Sequence, residues 1–178
     1  MTPNAIVYTS NTGYTEQYAM LLGKATGLPV YTLAEAEAKL APGNHILYLG
    51  WLMAGKVQGY GNAARRYHVE ALCGVGMGAT GSQLEDVRKT NRLPGTMPVF
   101  TLQGGFDLSR LRGVYRLMMT VMVKTAGKGL AEKQDRTPDE DAMLDLMLHG
   151  GSRVSRENLT AVLQWYGMKQ ENMRLNAL

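Results

Sequence analysis

The segment Ser10-Asn11-Thr12-Gly13-Tyr14-Thr15 concentrates the residue types that hold an anion. Ser10, Thr12 and Thr15 bring hydroxyl donors, and Gly13 lets the backbone turn so that successive main-chain N–H groups converge on one point. Residues 5–9, Ala-Ile-Val-Tyr-Thr, read as a buried strand just before it. Just after it, Tyr18, Leu22 and Ala25 recur at helical spacing. A loop between a strand and a helix N-terminus adds the positive end of the helix dipole, and the group that suits such a site is a phosphate dianion. The loop contains no Lys or Arg, so the anion would be held by dipoles and hydroxyls. A capped turn with no ligand is the competing reading of the same six residues.

Other motifs carry less. Gly76-Met77-Gly78-Ala79-Thr80-Gly81 spells a dinucleotide fingerprint, but it sits in the fourth strand–helix unit. The next strand also ends without the acid that would hold a ribose. Gly127-Lys128 lacks the spacing of a triphosphate loop. His45, His68 and His149 lie far apart, and Cys73 stands in an apolar run, so neither a metal site nor a nucleophile is expected.

The elements that must position the loop follow from periodicity. Strands are expected over residues 5–9, 29–33, 45–50, 69–75 and 97–103, alternating with a helix that carries Tyr18, Leu21, Leu22 and Ala25 and stops at Gly27 with Pro29, and with helices over 34–40, 62–67 and 83–91. The expected fold class is α/β, a three-layer sandwich. It has a five-stranded parallel sheet of order 2-1-3-4-5, helices on both faces and extra C-terminal helices. Residues 51–61 read as a loop, residues 108–124 as a long helix covering the sheet, and residues 125–136 as a linker. Thr137-Pro138-Asp139-Glu140 is a capping box that starts a helix ending at Gly150-Gly151, and Ser155 caps the last helix. The chain reads as one domain, residues 1–178, with a core over 4–124 and a helical extension over 137–178.

The chain has 178 residues, 45% of them hydrophobic, with a formal charge of +4, which is enough for one ordinary core. Residues 107–136 carry seven Lys or Arg against three acids, and Asp139, Glu140, Asp141 and Asp145 follow. Aromatic residues do not interleave with this basic zone, so nucleic acid is not an expected partner. A lone cysteine, with neither a signal-peptide pattern nor a long apolar run, points to the cytoplasm. The Leu-, Met- and Arg-rich helix leaves room for peripheral contact with the inner face of a membrane, with Arg110, Arg112 and Arg116 as anion contacts. A second copy of the chain is a further partner considered.

Ser10-x-Thr12-Gly13-x-Thr15 after the first strand resembles the phosphate loop of the flavodoxin family, which binds flavin mononucleotide (FMN). The resemblance implies that Ser10, Asn11, Thr12, Gly13, Tyr14 and Thr15 hold the FMN phosphate. It also implies that the flavin ring lies between loops after the third and fourth strands. Those are Trp51, Leu52, Met53, Ala54 and Gly55, and Met77, Gly78 and Ala79 with Thr80. Core packing is the competing reading for Trp51 and Leu52.

The run Met97-Pro98-Val99-Phe100-Thr101-Leu102-Gln103-Gly104-Gly105-Phe106-Asp107 and the basic, Met-containing helix after it resemble flavodoxin-domain proteins related to menaquinone-dependent protoporphyrinogen oxidase. The implied function is FMN-dependent oxidoreduction, with a quinone, a porphyrinogen-like molecule or a redox protein as electron donor or acceptor. The alternatives are a one-electron carrier that docks a redox protein, and an interaction module without a cofactor. None of these requires a catalytic acid or base from the chain.

Overall fold

A computed structural model describes residues 1–111 and 113–175. Strands and helices alternate: β1 (Ala5–Thr9), α1 (Tyr14–Thr26), β2 (Val30–Thr32), α2 (Leu33–Lys39), β3 (His45–Met53), β4 (Lys56–Val57), α3 (Tyr60–Arg66), β5 (His68–Gly76), α4 (Leu84–Thr90) and β6 (Val99–Gln103). The fold is α/β with a mostly parallel central sheet of order β2-β1-β3-β5-β6.

The order differs from the expected 2-1-3-4-5 because a sixth strand intervenes in the sequence. Residues 51–61, expected as a loop, instead extend β3 and turn back antiparallel as β4, pairing Leu52 with Val57 and Met53 with Lys56. The turn consists of Ala54 and Gly55, whose φ values of 48° and 75° match the left-handed pair that joins twisted strands most tightly. An Ala at the first turn position gives little sequence signal for such a hairpin.

Side chains alternate across the sheet, so each strand serves two cores. On one face, Ile6, Leu47, Leu49 and Cys73 pack against Tyr18, Ala19 and Leu22 of α1. On the other, Val7, Ile46, Tyr48 and Leu72 pack against Ala36, Ala63 and Val87 of α2, α3 and α4. Each large side chain buried in this way contributes about 1.5–3 kcal/mol, which is why the apolar runs of β1, β3 and β5 become central strands.

The C-terminal third departs most from expectation. After β7 (Gly105–Phe106) comes α5 (Gly113–Met122), a π-helical turn (Val123–Gly127) and α6 (Lys128–Glu132). Helix therefore starts later than residue 108 and runs on through two thirds of the expected linker, to Glu132. It does not cover the sheet. Val114, Leu117, Met118 and Val121 are exposed, and no residue of α5 is buried.

The face beside β6 is covered instead by α8 (Thr160–Leu175), with Leu159 and Val162 buried and Trp165 against Phe100. Helix α7 (Pro138–His149) starts at the expected box, where the Thr137 hydroxyl accepts from the Glu140 amide and the Glu140 carboxylate accepts from the Thr137 amide. Strand β8 (Gly151–Ser152) then pairs antiparallel with β7, a pairing too short to announce itself in sequence. Asn158 ties the junction down, donating to the hydroxyl of Tyr18, which itself donates to the Gln103 carbonyl at the end of β6. No described helix is long and apolar enough to cross a membrane.

Candidate functional site

Beyond the carboxyl ends of β1, β3 and β5 lies a cavity of about 990 Å³. It brings together Asn11, Thr12, Tyr14 and Thr15 from the first loop, Trp51, Leu52, Met53, Ala54 and Gly55 from the β3–β4 hairpin, and Met77 and Gly78 after β5. Ser10, Gly13 and Ala79 belong to the same loops but do not line it. Three segments distant in sequence thus converge on one space, as strand ends of a parallel sheet do.

The loop geometry follows from Gly13. Its φ of 90° is strained for other residues, and it lets the chain swing from strand into helix within a few residues. The Ser10 hydroxyl accepts from the Gly13 amide at 3.1 Å, so Ser10 braces the turn and does not line the cavity.

Helices α2 and α7 both begin with full capping boxes, whereas α1 begins with no side-chain cap at all. Its first-turn amides are left without a side-chain acceptor at the end that carries partial positive charge. Thr15 is 1% exposed and lines the cavity, yet its hydroxyl makes no hydrogen bond to another described residue. Its hydroxyl stands at the cavity wall, where solvent or a ligand can satisfy it. The donor set therefore fits a phosphate group: uncapped amides, the Thr12 and Thr15 hydroxyls, and no competing carboxylate in the loop.

The second and third segments bring apolar side chains to the cavity wall. The Trp51 ring meets Tyr115 of α5 edge-on, with centroids 5.4 Å apart. Leu52 answers both of its readings, because it lines the cavity and also fills the space above Gly74, where a Cβ would stand 2.9 Å from its Cδ2. The Gly55 carbonyl accepts from Asn91 Nδ2 at 2.8 Å, which leaves the Ala54–Gly55 peptide as the less restrained part of the turn.

The fingerprint-like Gly76–Gly81 segment does not cradle a second phosphate. The Gly81 amide donates to the Thr101 carbonyl at 3.0 Å, and the Thr80 hydroxyl accepts from the Gln103 amide at 3.0 Å. Its polar groups are thus engaged with β6.

The rest of the wall was not read as site from the sequence. Tyr115, Met118 and Met122 of α5 and Met143 of α7 line the cavity. The helix expected to cover the sheet stands over the strand ends instead. Its Met content is the one signal that fits, since Met adapts to irregular ligand surfaces.

Among the expected anion contacts, Arg116 is exposed on α5, and Arg112 lies outside the described residues. Arg110 reaches the loop itself: Nη1 donates to the Thr12 carbonyl at 3.2 Å, and Cζ stands 5.7 Å from the Tyr14 ring centroid. Asp107 pairs with Arg110 Nε at 3.2 Å. Its carboxyl is held below the ordinary carboxylate range by the Ser109 hydroxyl and amide first, then by Arg110. Burial raises the Tyr14 hydroxyl pKa, and Arg110 opposes that rise.

Burial also pushes the Cys73 thiol far up, so it is packing and not a nucleophile. Among the described residues no group of three or more His, Cys, Asp or Glu is placed to hold a metal ion. Set against family models, curated proteins and solved structures, the chain matches none of them.

Proposed function

We propose that the protein is a flavodoxin-like FMN-dependent oxidoreductase. The observation that carries the reading is the meeting, in one cavity, of a helix N-terminus without a side-chain cap, the Thr12 and Thr15 side chains, and a Trp- and Met-bearing apolar wall. Thr12, Thr15 and the first-turn amides of α1 would hold the phosphate. Trp51, Met53, Ala54, Gly55, Met77 and Gly78 would flank the ring, with Tyr14 below the loop. FMN, when bound, supplies the electron transfer. The chain's own part is to fix the phosphate, exclude water and shape the space for the second reactant.

The oxidoreductase is preferred to a carrier that docks a protein because α5 overhangs the cavity. Met118, Met122 and Met143 extend the apolar wall beyond the flavin-flanking loops, which suits a small apolar acceptor such as a quinone or a porphyrinogen-like molecule. Such a molecule is met at a lipid surface. The exposed Val114, Leu117 and Val121, with Arg116 and Lys124 on the same helical segment, support peripheral contact with anionic lipid. Vesicle flotation checks this: anionic vesicles should carry the wild-type protein and release the Val114→Asp variant, Val114 being exposed and outside the cavity wall, and equal flotation of both would contradict it.

The test of cofactor class is an absorbance spectrum of protein incubated with FMN and then desalted. A retained flavin band is expected. A colourless protein would favour the module without a cofactor.

A further inference from the structure

We infer that Arg110 is a positioning residue for the anion loop, making the site select a phosphorylated flavin over the same flavin without phosphate. The inference rests on the FMN reading above and adds to it the source of phosphate selectivity. The loop has no Lys or Arg of its own, and Glu16 places a negative charge in the first turn of α1. Dipoles and hydroxyls alone bind a dianion weakly against that charge.

Arg110 comes from the segment between β7 and α5, 98 residues beyond Thr12, and makes two contacts with the loop. Its Nη1 donates to the Thr12 carbonyl and its guanidinium stands over the Tyr14 ring. By holding the Thr12 carbonyl it keeps that oxygen's partial negative charge from turning toward the anion. Asp107 Oδ2, 3.2 Å from Nε, and the Tyr14 ring fix the guanidinium in turn, so the cation is presented in one orientation although its side chain is 52% exposed. Arg110 does not line the cavity, so it acts on a phosphate through the Thr12 and Tyr14 contacts that set the loop, and it has no such effect on the uncharged hydroxyl end of riboflavin. Because Arg110 also leads into α5, the same contact joins the phosphate end of the cavity to the helix that overhangs it.

The test is a pair of flavin-fluorescence titrations, FMN and riboflavin, on wild type, Arg110→Gln and Arg110→Lys. Arg110→Gln should lose about tenfold in FMN affinity, the size of one charge-assisted contact, with riboflavin affinity unchanged. Arg110→Lys should recover part of the loss, because it restores charge but not the planar contact with Thr12 and Tyr14. An unchanged FMN-to-riboflavin affinity ratio in Arg110→Gln, whether both ligands weaken equally or neither does, overturns the inference and leaves the FMN reading standing. Wild type that binds neither flavin overturns both.

Discussion

Trp51 and Tyr115 stand edge to face, 5.4 Å between centroids, and so join the end of β3 to a helix 64 positions later across the mouth of the cavity. An aromatic pair of this geometry contributes about 0.5–1.5 kcal/mol beyond the area it buries. The contact makes α5 part of the cavity wall. A ligand that enters beside Trp51 must therefore change the surroundings of both rings.

That relationship gives a spectroscopic prediction. The chain has only two tryptophans, Trp51 at the cavity and Trp165 on α8 against Phe100. Added FMN should quench wild-type tryptophan emission strongly and quench the Trp51→Phe variant far less. Equal quenching in the two proteins would place the flavin away from β3.

Ala54 occupies a left-handed conformation that costs a residue with a Cβ about 1 kcal/mol. Ala54→Gly should raise the unfolding free energy by about that amount in urea denaturation without changing the slope. A loss of stability would mean that the Ala54 methyl makes a contact worth more than the strain.

A pH prediction comes from the opposite end of the sheet. Burial raises the pKa of Glu70, but hydrogen bonds from His45 and Lys169 outweigh it, and the net shift is below the ordinary value of 4.5. A carboxyl depressed by folding stabilises the protein fully above its unfolded pKa, and the stabilisation disappears as pH falls through the folded value. Glu70→Gln should therefore melt below wild type at pH 7 and converge with it under acid below about pH 4. A melting gap that persists unchanged in acid would contradict this assignment.

Much of the frame was legible because its signals are local and strong. The runs around Val7, Leu47 and Leu72 are apolar on both faces, and Thr137 with Glu140 forms a capping box that needs only four residues. The turn from β1 into α1 was legible for the same reason: Gly13 and the hydroxyls around it lie within six residues of sequence.

What failed to show were relations between distant segments. The apolar stripe of residues 108–124 matches a helix on a sheet as well as a helix over a cavity. The choice was settled by α8, whose Leu159 and Val162 took the sheet face. Arg110 likewise reads as one of several basic residues until the fold brings it to Thr12. The β4 hairpin was hidden because Ala54 stands where Asn or Gly usually marks the turn.

The most direct measurement is a titration of FMN into wild type and Thr15→Val, read by flavin fluorescence, with thermal melting of both proteins alongside. Thr15→Val removes the hydroxyl at the cavity wall while keeping the side chain's shape, and thermal melting checks that the variant is folded. Wild type should quench FMN saturably at one flavin per chain, and Thr15→Val should bind it about tenfold more weakly. No saturable binding by wild type, or equal affinity in a stably folded Thr15→Val, would contradict the assignment of this loop as the phosphate site.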